Sequence, residues 1–144
     1  MSSRQVPIRV DEFGFLLDLI LEAMNELGLA HLPAGMNAGR YLGKICPLPL
    51  ERRDLRSVIT AMDERMRPDL EIRALYEIGK ATLEVVECPV RNICLGRDIQ
   101  LGGKLCLVFH SYLAGLVSEY LGRMANVEML RFGVDRCQLC IDES

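Results

Sequence analysis

The chain has no long apolar run and no basic stripe, and it has little histidine. No apolar stretch approaches the ~18 residues a spanning helix needs, although half of the 144 residues are hydrophobic. The first residues lack the basic-then-apolar pattern of a signal peptide, and the chain is read as soluble and cytoplasmic. The formal net charge is −3, with Lys and Arg scattered rather than gathered in a stripe. The electrostatic footprint of direct nucleic-acid binding is therefore missing. His31 and His110 are the only histidines. No acid–base pair stands at catalytic spacing, no Ser-His-Asp order suggests a nucleophile, and no glycine-rich phosphate loop follows a strand. Internal repeats and low-complexity segments are absent as well. None of the residues by itself indicates an enzyme.

What is present fits one domain, residues 1–144, long enough to bury about two-thirds of its unfolded surface without disulfides. Asp11 is placed as the N-cap of a first helix with an apolar stripe from Phe13 to Leu27 and Gly28 as its stop. Pro33 suits the first turn of a second helix, AGMNAGRYLGKIC, in which Gly35, Gly39 and Gly43 recur every fourth residue. Each glycine costs about 1 kcal/mol relative to alanine. The repeated cost suggests a smooth face packed against another backbone, with a ligand-facing role as the alternative. Leu50 to Met66 reads as a third helix covering the core.

After Pro68 the apolar period falls towards 2, and LEIRALYEI with ATLEVVEC form a hairpin turning at Gly79-Lys80. The stretch PVRNICLGRDIQLGG is read as a loop. A long helix beginning between Leu101 and Lys104 and ending near Gly122 is apolar nearly all round, and should be central. Its Ala114-Gly115 pair implies another close approach. Asn126 to Phe132 and Arg136 to Ile141 give a second hairpin. The expected class is α+β: N-terminal helices, a β-hairpin, a long central helix and a second β-hairpin, with the hairpins forming a four-stranded, mainly antiparallel sheet packed on the helices.

Six cysteines in such a chain read as metal-binding or redox thiols rather than as a disulfide framework. If the long helix connects one strand to a parallel strand of the same sheet, the strand ends and the helix start share one edge. Cys88, Cys94, Cys106, Cys137 and Cys140 would then meet there. Cys137-x-x-Cys140 can place two sulfurs on one ion, and four thiolates suit zinc or, alternatively, an iron–sulfur cluster. The plainer alternative leaves Cys88 and Cys106 as buried small hydrophobes; Cys46 reads as core. His110, one turn after Cys106, is a candidate ligand or pocket residue, set against a satisfied core histidine.

From Cys106 onward the residues resemble the four-vinyl reductase domain. This is a small ligand-binding module of bacterial and archaeal proteins that includes the sensory domains of phenol-responsive regulators and is structurally related to the tethering subunits of the TRAPP complex. The family's motif falls on Cys106, Tyr112-Leu113-Ala114-Gly115, Leu121-Gly122-Arg123, Glu128, and Gly133 with Cys137 or Cys140. Before Cys106 the likeness is one of architecture only. The resemblance implies a homodimer, a hydrophobic pocket between helices and sheet, and a zinc held nearby by cysteines and an acidic residue. The cysteine that the family carries at the end of the third strand is missing, and Ser111 stands where it has glycine; the first departure favours a four-cysteine site. The reading that results is a sensory or accessory domain with an apolar small molecule against Phe109, His110, Tyr112 and Leu113, a thiolate-bound metal beside it, and a separate regulatory or enzyme partner. An iron–sulfur or redox component of an enzyme system and a metal-free assembly subunit are the alternatives.

Overall fold

A computed structural model describes Glu26 and residues 31–143; apart from Glu26, the helix expected between Asp11 and Gly28 lies outside the described residues. The elements run α1 (His31–Ile45), α2 (Leu55–Met66), β1 (Glu71–Glu77), β2 (Lys80–Glu87), α3 (Pro89–Arg97), α4 (Lys104–Leu121), β3 (Ala125–Arg131) and β4 (Cys137–Glu143). The α+β class is as expected. None of the described helices is long and apolar enough to cross a membrane.

Three boundaries differ from the sequence reading, each for a local reason. Helix α2 starts at Leu55 rather than Leu50 because Asp54 accepts a hydrogen bond from the Ser57 amide at 2.8 Å and so caps the helix there. The same bond holds the Asp54 carboxyl below its usual range. The first hairpin turns at Ile78-Gly79, since Glu77 pairs with Lys80 and Gly79 supplies the positive φ of 70° that a two-residue turn needs. The stretch read as a loop after Cys88 holds α3. Its signal was Pro89, which suits the first helical position; Val90, Arg91, Ile93 and Cys94 are buried, and the helix stops at Asp98 with φ 57°.

The sheet order is β1-β2-β4-β3, and every neighbouring pair is antiparallel. Strands β2 and β3 therefore run parallel, but β4 lies between them. One face of the sheet presents Ile72, Leu83, Val85, Leu139 and Ile141 to the core, where they meet Leu113, Leu116 and Val117 of α4. Burying side chains of this size stabilises by about 1.5–3 kcal/mol each, and α4 is buried on most of its circumference.

Helix α1 packs on α4 backbone to backbone. A Cβ at Gly35 would lie 2.7 Å from the Val108 carbonyl oxygen. One at Gly39 would collide with the Tyr112 carbonyl oxygen, and one at Gly115 with that of Met36. The expected smooth face is thus a helix–helix contact. Polar ties hold it in register: the Tyr120 hydroxyl donates to the Cys46 carbonyl at 2.7 Å, and Arg40 pairs with Glu119 at 3.5 Å.

Gly39→Ala is expected to lower unfolding stability by about 2–3 kcal/mol, the usual effect of forcing an extra carbon into a packed contact. Gly96→Ala, in α3 with nothing within 4 Å of an added Cβ, should be neutral or stabilise by up to ~1 kcal/mol. Urea unfolding of both variants separates the cases, and equal effects would contradict the packing.

Candidate ligand pocket and thiol rim

Between α1, α4 and β3 lies a cavity of about 220 Å³. Helix α4 contributes Leu107, His110, Ser111 and Ala114, residues spaced i, i+3, i+4 and i+7 and so on one helical face. Met36 enters from α1, and Asn126, Val127 and Met129 from β3. The space has a simple origin, because the glycines bring the helix axes together while Ala114 is too short to fill the gap towards β3. For scale, an enclosed apolar cavity of about 150 Å³ holds benzene; this pocket is open to solvent on one side.

His110, with Ser111 and Asn126, gives the cavity its polarity. It is 8% exposed, and its Nδ1 is buried with no hydrogen-bond partner among the described residues. Burial pushes its pKa down to about 4, because the charged imidazolium loses its water. At neutral pH the ring is therefore uncharged, with one nitrogen a donor and the other an acceptor. The ring stacks on Phe132 with centroids 6.1 Å apart and 24° between planes, which fixes its orientation. A buried polar atom left unmatched costs roughly 1–3 kcal/mol.

Of the residues expected to hold a ligand, His110 lines this cavity. Phe109 and Tyr112 are half-buried and stacked on each other at 6.1 Å, and Leu113 is in the core at 2% exposure. Sequence reasoning did not find Met36, Leu107, Ser111, Ala114, Asn126, Val127 or Met129. The i, i+3, i+4, i+7 face of α4 was the available signal, but the partners on α1 and β3 are far away in sequence.

The thiols gather only in part. Cys88 follows β2 and precedes α3, Cys137 opens β4 opposite Val85, and Cys106 lies in the first turn of α4. Cys94 is fully buried on α3. Burial raises the Cys88 pKa, and negative charge on Cys137 would raise it further. Cys140 is elsewhere. In a strand, residues three apart point to opposite faces; Cys137, Leu139 and Ile141 face the helices, whereas Cys140 stands between Thr82 and Glu128 on the other face. Its thiol is also pushed up, chiefly by burial. The spacing that suggested two sulfurs on one ion belongs to a turn, not to a strand. Among the described residues no group of three or more His, Cys, Asp or Glu is placed to hold a metal, and a closed zinc site takes four donors. The thiols as arranged do not fit a four-cysteine centre.

No family model matches the chain. A segment is 39% identical over 74 residues to the endoribonuclease toxin ChpB of Escherichia coli K12, covering 49% of this chain and 63% of the toxin. The chain thus spans less than two-thirds of that relative's length. Among solved structures, the fold is similar to the phenol-responsive sensory domain of the transcription activator PoxR, solved with phenol. The TM-score is 0.61 with 13% identity, and the likeness covers 98% of this chain and 77% of that domain.

The buried histidine sets a pH dependence. Its folded pKa, about 4, lies below the unfolded value of about 6.5, so between these the unfolded chain binds more protons and stability falls as pH drops. The loss should reach about 3 kcal/mol by pH 4. In His110→Leu that share of the slope should vanish, read as unfolding free energy between pH 7 and 4. Parallel curves for the two proteins would place His110 in water.

Proposed function

We propose that this chain is a sensory domain of the four-vinyl reductase kind. It binds a small, mostly apolar ring compound bearing a hydrogen-bonding group in the cavity between α1, α4 and β3. The observation that carries the reading is the buried, unpartnered Nδ1 of His110 in an otherwise largely apolar cavity. A ligand hydroxyl would satisfy that nitrogen, and Leu107, Val127 and Met129 would cover the ring. The likeness to a phenol-responsive domain supports the ligand class. The domain would act as a homodimer, with Tyr41 and Ile45 exposed one turn apart on α1, and would pass its signal to a separate regulatory partner. Neither zinc nor an iron–sulfur cluster is required for this binding.

RNA cleavage, suggested by the toxin likeness, draws less support. The likeness covers 49% of this chain and 63% of the toxin.

Calorimetric titration with phenol tests the proposal. For a ligand of that size the dissociation constant should fall roughly between micromolar and millimolar, and His110→Leu should weaken it by roughly tenfold, the loss of one hydrogen bond. Failure of phenol to bind at millimolar concentration, or equal binding by the variant, would refute the assignment.

A further inference from the structure

Two thioethers share the cavity with His110. Met36 enters it from α1 and Met129 from β3, and both are half-buried. His110, on α4, is 8% exposed, and its Nδ1 has no hydrogen-bond partner among the described residues. The three side chains thus stand on three different walls of one space that opens to solvent on one side. Methionine is unbranched, with three rotatable bonds and a polarizable sulfur, so each thioether can swing towards a common centre. The imidazole is held in place by Phe132.

We infer that this cavity is a binding site for a soft monovalent metal ion, copper(I), held by His110 Nδ1 and the sulfurs of Met36 and Met129. Thioethers select copper(I), and imidazole also suits copper. Magnesium, calcium and manganese prefer carboxylate and carbonyl oxygens, and none of the lining residues carries a carboxylate. A closed zinc site draws four donors from Cys, His, Asp and Glu; His110 is the single such residue lining the cavity. Neutral donors bring no charge to offset that of the ion, and the cost of taking an ion out of water rises with its charge, so a monovalent ion is favoured over a divalent one. Cys88, Cys94, Cys106, Cys137 and Cys140 do not line this cavity, which sets the site apart from the thiol rim. The inference rests on these three donors and not on the binding of a ring compound.

Silver(I), the redox-inert counterpart of copper(I), is the probe. The thiols will also take up silver, so the readout is local: carbon-13 NMR of the methionine methyl groups together with nitrogen-15 NMR of the imidazole rings during addition of silver nitrate. The methyl resonances of Met36 and Met129 and the Nδ1 resonance of His110 should shift together and saturate together, while those of Met62 and Met66 on α2 stay in place. Met36→Leu and Met129→Leu nearly conserve volume and leave the fold intact. Each should weaken the silver response of His110 by at least the roughly 10–100-fold that loss of an outer-shell partner costs a metal site. A ring that moves without the two methyl groups, a ring response unchanged in both leucine variants, or no movement in excess silver overturns the site. Phenol titration is run without metal, so failure here is distinct from failure of the ring-binding assignment.

Discussion

Direct backbone contact between α1 and α4 is the constraint on which the rest of the structure depends. Gly35 and Gly39 face carbonyl groups of α4, and Gly115 of α4 faces that of Met36, so neither helix can rotate or slide without a collision. Glycine lowers helix stability, and three of them within α1 (Gly35, Gly39 and Gly43) would be costly in isolation. Packing offsets that cost, as it does for most protein helices. Once α1 is seated, the α4 face bearing Leu107, His110, Ser111 and Ala114 is left opposite β3 with a gap between them.

A gap of this kind is normally closed by a larger side chain, because protein interiors are packed to the density of organic crystals. Here Ala114 is small and His110 brings a nitrogen with no partner. Replacing that imidazole by an apolar side chain would remove an unmatched polar atom. Local disagreements between a residue and its surroundings concentrate at functional sites. The stacked Phe132, which also fills the space beside Gly102, keeps the ring in place despite the missing hydrogen bond.

Much of the architecture was legible in the chain, because periodicity and punctuation report local structure. The long apolar helix, both hairpins and the close-packing glycines were read from residue spacing alone. The nine-residue α3 was not, although Pro89 marked its start, since its short apolar pattern is indistinguishable from that of a loop. Strand order was out of reach too: nothing local says that β4 inserts between β2 and β3. That insertion sets Cys137 opposite Val85 of β2, while the strand's own alternation turns Cys140 to the other face. The pocket was the least legible part, because its walls come from three elements and only the α4 face has a recognisable spacing. His110 was identifiable as a candidate, but its lack of a partner is a property of the packed structure.

In the proposed complex, His110 Nδ1 is the atom that the ligand engages. Nitrogen-15 NMR of the imidazole rings during addition of phenol reads that atom directly. The Nδ1 resonance of His110 should shift progressively and saturate as a hydrogen bond forms, while the ring stays neutral at pH 7. A His110 signal that does not move at saturating phenol would contradict the central claim.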